Sequence, residues 1–159
     1  MPDWVADILK TIVLGPIVAF LAYILTVRPA IRRFHEEKWW EKKQEVYLRL
    51  LETLHYLKNY ADEHYQDQFN PGQMTDEKRG ELEQEWKRSS REFTKLRDLA
   101  SFHLSDEALA ILDKYEKKKA DTQKSEDLFR SIEGDLEATA ECLEKLKNAA
   151  KRDLKVNRI

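Results

Sequence analysis

A chain of 159 residues holds one domain plus a membrane segment and is too short for two ordinary domains. With 36% charged and 42% hydrophobic residues, and only four glycines and four prolines, it has the composition of packed helices and not of a disordered chain. A net charge of −2 gives no global positive field for nucleic acid, and the single cysteine, Cys142, excludes an internal disulfide and fits a reducing compartment.

The apolar residues are unevenly spread. Residues 11–27, TIVLGPIVAFLAYILTV, contain no charge. As a helix this run spans about 26 Å at about 1.5 Å per residue, and Ile8 and Leu9 extend it toward the ~30 Å of a hydrocarbon core. Lys10 would snorkel outward, and Trp4 falls where an interfacial aromatic anchors a span. A buried core helix rarely stays apolar on all faces for this length, and the acidic flank of Asp3 and Asp7 argues against a cleaved secretory signal. The reading is an uncleaved transmembrane anchor over 1–28. Arg28, Arg32, Arg33, Lys38, Lys42 and Lys43 follow it and only Lys10 precedes it. The positive-inside rule therefore expects a single-pass protein of the cell inner membrane, N-terminus outside and C-terminal domain in the cytoplasm. Gly15 and Ala19, with Ala22 nearby, form a small-xxx-small step suited to close packing of membrane helices.

Residues 29–43 form a basic, aromatic juxtamembrane collar. Basic side chains beside an anionic leaflet gain about 1 kcal/mol each, and tryptophan prefers the interface. Trp4, Arg28, Arg32, Arg33, Trp39, Trp40, Lys42 and Lys43 are therefore candidate lipid or interface contacts. The plainer reading is topology signalling by the charges, with the tryptophans buried in the domain. Pro29 either kinks the chain or sits in the first turn of a new helix.

From residue 30 to about 66 there is no helix breaker, and Trp40, Tyr47, Leu50, Leu54, Leu57 and Ala61 keep a heptad-like register widened by Val46 and Leu51. Asn70-Pro71-Gly72 is the clearest turn. Thr75 is the expected cap of a second helix, whose seam is Leu82, Trp86, Ser89, Phe93, Leu96 and Ala100. A break near 101–104 precedes Ser105, which caps a shorter helix with inner residues Ala108, Leu109, Leu112 and Tyr115. Ser125 opens the last helix, with Phe129, Ile132, Leu136, Thr139, Leu143, Leu146 and Ala150 as its seam. No stretch alternates with period two. The expected fold is all-α: the anchor, then an antiparallel bundle of about four helices over 44–159 with a long first helix, a continuous coiled-coil stalk being the competitor.

Catalytic and metal-binding patterns are sparse. Glu52 and His55 share a helix face at the spacing of di-metal bundle sites, but His35, His64 and His103 lack a carboxylate three residues earlier, so no second pair exists. Cys142 falls within an apolar stripe with Ala138 and Leu146, the setting of a buried structural thiol. There is no Gly-rich phosphate loop, nucleophile elbow, CxxC or HExxH. No catalytic residue, metal ligand or cofactor is expected, and no small-molecule substrate is evident.

The run RRFHEEKWWEKKQEVYLRLLETLHYLKNY, with FHLSDEALAILDKY and ECLEKLKNAAKRDL, resembles a group of uncharacterised small bacterial single-pass membrane proteins with a helical cytoplasmic domain. The resemblance implies a bacterial inner-membrane setting and brings no functional residues with it. The functional expectation is a membrane-tethered, non-catalytic interaction module whose partners are the lipid bilayer and either itself or another protein. A homo-oligomeric membrane-perturbing effector and, more remotely, a metal-dependent enzyme are the alternatives.

Overall fold

The structure is a computed structural model that describes residues 28–72, 74–124 and 127–155, together with the single positions Phe20 and Tyr23. The described residues form four α-helices and no strand: α1 (Arg28–Phe69), α2 (Asp76–His103), α3 (Asp106–Thr122) and α4 (Leu128–Asp153). Pro29 lies in the first turn of the 42-residue α1, where its missing N–H has no helical partner to lose.

Local chemistry sets the helix ends. Asn70 donates its N–H to Gln66 O at 3.2 Å, and Gly72 turns the chain at φ +89°, a left-handed geometry that glycine adopts without strain. Thr75 and Ser105 cap as expected: their hydroxyls accept the N–H of Lys78 at 3.2 Å and of Ala108 at 3.4 Å. Leu104, the one residue between α2 and that second cap, returns its N–H to Ala100 O at 2.9 Å. α4 starts later than the expected Ser125. Its cap is Asp127, whose carboxylate takes the N–H groups of Phe129 and Arg130 at 3.0 and 3.4 Å.

The anchor does not survive as part of this fold. Among the described residues no helix is long and apolar enough to cross a membrane, because each of the four carries charged side chains along its length. The expected transmembrane element, its orientation and the inner-membrane placement of the domain are corrected accordingly. The 11–27 run itself, apart from Phe20 and Tyr23, and with it Gly15, Ala19, Ala22 and Trp4, lies outside the described residues.

The chain divides into two compact units, Met1–Glu41 and Lys42–Ile159. The second is an antiparallel bundle in which each helix lies beside the next and α4 returns to α1. Between α1 and α2, Arg49, earlier in α1, pairs with Glu92, later in α2, whereas Glu63 and Asp67 late in α1 pair with Lys78 at 2.6 Å and Arg79 at 3.4 Å at the start of α2, the arrangement of antiparallel helices. Arg97 on α2 reaches Asp113 and Glu116 on α3. Arg152 and Lys114 tie α4 and α3 through Glu107 and Glu141. α1 and α4 meet at both ends. At one, Tyr47 donates its hydroxyl to Asp153 at 2.6 Å beside Lys43 at 3.1 Å; at the other, Phe129 packs on Tyr65 and Phe69 with ring centroids 5.5 and 5.6 Å away.

Inside lie Tyr47, Leu50, Leu54, Leu96, Leu112 and Leu146, all fully buried. The expected seams of α1 to α3 hold from residue 46 onward, with Trp86, Leu51 and Leu109 only partly buried. On α4 the expected seam holds at Thr139, Leu146 and Ala150, and the Ala138–Cys142 stripe is buried beside it with Ala149, while Phe129, Ile132, Leu136 and Leu143 are only partly buried. Small residues face inward because α3 and α4 bring their backbones closest, with Cα–Cα separations within 8 Å.

Candidate functional site

The first half of α1 differs in character from the second. From Val46 onward its apolar residues turn into the core. From 28 to 42 every residue is exposed, including Ile31 at 48%, Phe34 at 56%, Trp39 at 55% and Trp40 at 45%. At about 100° per residue, Ile31, Phe34 and Trp39 share one side of the helix and Trp40 the opposite one. Trp40 keeps the angular position of Tyr47 and Leu54, as the heptad register expects, but at 45% exposure it stands outside the buried core.

The charges of this stretch are locally paired. Arg32 meets Glu36 at 2.8 Å and Lys38 meets Glu41 at 2.7 Å, while the Lys38 ammonium stands 5.9 Å from the Phe34 ring centroid. Exposed pairs of this spacing contribute about 0.3–0.5 kcal/mol each, so they support the helix more than they define a binding surface. Arg28 and Arg33 are exposed. Lys42 pairs with Glu45 at 2.7 Å. Lys43 alone of the basic set belongs to the bundle interior, half-buried against Asp153. Burial pushes the Asp153 carboxyl up, but the hydroxyls of Tyr47 and Ser105 and the Lys43 ammonium outweigh it and hold it below its ordinary value.

Among the exposed apolar residues that escaped the sequence reading are Leu48 at 57% on α1, and Leu99 at 43% and Phe102 at 72% near the end of α2. Their signal was present. Each falls outside the three-and-four rhythm of its helix, and such residues either face solvent or wait for a partner.

The chemical candidates are placed as follows. Glu52 and His55 are exposed on α1, and no group of three His, Cys, Asp or Glu among the described residues could hold a metal ion. Cys142 is buried. Burial, reinforced by Glu141 and Glu116, pushes its thiol up to about 12, which leaves almost no thiolate near neutral pH. Beside it, Glu141 on α4 accepts Lys114 and Lys118 of α3 at 2.8 Å each and Lys145 of its own helix at 2.7 Å. Three ammonium groups hold this carboxyl far below its ordinary range, and the cluster clamps α3 to α4.

No protein-family model matches this chain, and no curated protein or solved structure does either.

Proposed function

We propose that the chain is a non-catalytic protein-interaction module, in which the bundle of 42–159 presents 28–41 as a helical docking segment for another protein chain or a second copy of itself. One observation supports the reading above others. A helix that buries Val46, Tyr47, Leu50, Leu54, Leu57 and Ala61 leaves Ile31, Phe34, Trp39 and Trp40 about half exposed within four turns. Tryptophan and phenylalanine held on a regular helix dominate the energetics of helix-in-groove recognition, since each buries a large apolar area at little conformational cost. Cys142 sealed among apolar side chains and Glu52 and His55 facing solvent also favour binding over catalysis.

The test is the mass of the full-length chain by light scattering, together with a photo-crosslinking side chain placed at Phe34. The expected result is a complex of fixed stoichiometry, lost in Phe34→Ser/Trp40→Ser while the melting temperature stays within ~2 °C, since surface changes usually cost under about 0.5 kcal/mol. A chain that stays at 18.9 kDa and gives no crosslink from position 34 overturns the proposal.

A further inference from the structure

At the end of the bundle where α1 turns into α2 and α3 into α4, a cavity of about 320 Å³ is lined by side chains from all four helices. One wall is an aromatic shelf. Trp86 of α2 stacks on Tyr60 of α1 with centroids 5.5 Å apart and planes inclined by 30°, and Tyr60 packs in turn on His64 at 4.3 Å. Tyr115 and Lys119 of α3 and Asp135 of α4 supply the facing side.

Two polar groups here lack a direct hydrogen-bond partner among the described residues, and one of them, on His64, is buried. The Lys119 ammonium makes no hydrogen bond or ion pair with any described residue; its nearest aromatic neighbour is Tyr115, whose centroid is 6.0 Å away. Burial pulls its pKa below the ordinary lysine value, and the charge of Asp135 only partly opposes this. His64 Nε2 is buried and has no partner. Burial lowers the His64 pKa, with Arg79 adding to the effect against Asp67, Glu63 and Glu83, so the ring is neutral at pH 7 and one of its nitrogens keeps a proton to donate. Asp135 is differently placed, since it already accepts the Thr122 hydroxyl. A bundle gains nothing in stability from a half-buried cation without a direct partner and a buried, orphaned imidazole nitrogen, and such groups collect where something else is to be bound.

We infer that this cavity is a binding site for a small aromatic carboxylate, its ring on the Tyr60–Trp86 shelf and its carboxylate held by Lys119, with His64 as the second donor. The volume fits. Ligand pockets begin at about 300 Å³, and an apolar cavity of about 150 Å³ already takes a benzene ring. The charge fits as well, because a carboxylate supplies the direct ion-pair partner that Asp135, engaged by Thr122, does not, and a charge-assisted hydrogen bond is about twice as strong as a neutral one.

Calorimetric titration of the full-length chain with 3-phenylpropionate, its neutral amide and phenethylamine tests this. The acid should saturate one site per chain, the amide should bind at least about tenfold more weakly, and the amine should not bind. Lys119→Met should erase the preference for acid over amide, and Lys119→Arg should retain it. Ile132→Trp, which fills the cavity from α4, should abolish binding of all three with the helical circular dichroism unchanged. Equal binding of acid and amide overturns the inference, as does an amine that outranks the acid, a Lys119→Met chain that keeps the preference, or no saturable binding at all. None of these variants touches 28–41, so the outcome is independent of the interaction reading.

Discussion

Three ammonium groups on one carboxylate make Glu141 the most strongly perturbed acid described, and the sign of its pH effect follows directly. The bonds from Lys114, Lys118 and Lys145 lower its folded-state pKa far below the ordinary 4.5. The stability it contributes is therefore complete above pH 4.5 and is lost as the pH falls through the folded value. Glu141→Gln should melt at a lower temperature than the parent at pH 7, and thermal scans between pH 7 and pH 2 should show that gap constant down to about 5 and closing below 4.5. A gap that persists unchanged at pH 2 would mean that shape and not charge is what Glu141 supplies. At this scale the caps Thr75 and Ser105 and the buried Cys142 were legible in the sequence, because each depends on neighbours within one helix turn. His64 and Lys119 were not. Their significance arises only when four helices meet, and nothing within a turn of either residue announces it.

The closest pair of helices owes its geometry to one glycine. A Cβ built on Gly134 would lie 2.5 Å from Thr122 Cγ2, and Thr122 is held by hydroxyl bonds to Lys119 O and Asp135. Gly80, on α2, has nothing within 4 Å of the same position. Alanine is favoured over glycine inside a helix by about 1 kcal/mol, so Gly80→Ala should stabilise by about 0.5–1 kcal/mol. Gly134→Ala should instead destabilise by about 1–2 kcal/mol through overpacking, and adding Thr122→Ser, which removes the clashing methyl but keeps the hydroxyl, should restore or exceed the parent stability. Urea unfolding of the four chains measures the cycle; a double variant no better than Gly134→Ala would show that backbone, not the Thr122 methyl, is the obstacle. The seams of α1 to α3 could be read from hydrophobic spacing alone, and so could Thr139, Leu146, Ala150 and the Ala138–Cys142 stripe of α4; the marginal place of Phe129, Ile132, Leu136 and Leu143 could not. A period-3.5 reading follows the largest apolar side chains, but a helix in close backbone approach turns its alanines inward and leaves phenylalanine and isoleucine at the margins.

At the scale of the whole chain, the compact unit beginning at Lys42 holds the entire buried core, since the core starts at Val46 and every residue from 28 to 42 is exposed. A chain shortened to 42–159 should remain helical and unfold cooperatively, with an unfolding free energy within about 1 kcal/mol of the parent. Loss of cooperativity would mean that 28–41 contributes to folding as well as to binding. The all-helical, antiparallel character of this unit was readable from turns, caps and composition. The membrane assignment rested on one uncharged run, and it is the part of the reading that the described helices do not uphold. One consequence of the bundle concerns its only thiol. Cys142 faces the core where α3 and α4 press together. A reagent that alkylates thiolates must wait for those helices to part, so the native cysteine acts as a clock for opening of the bundle. Until it opens, a cysteine introduced at any exposed position is the single address at which a fluorophore or spin label will attach.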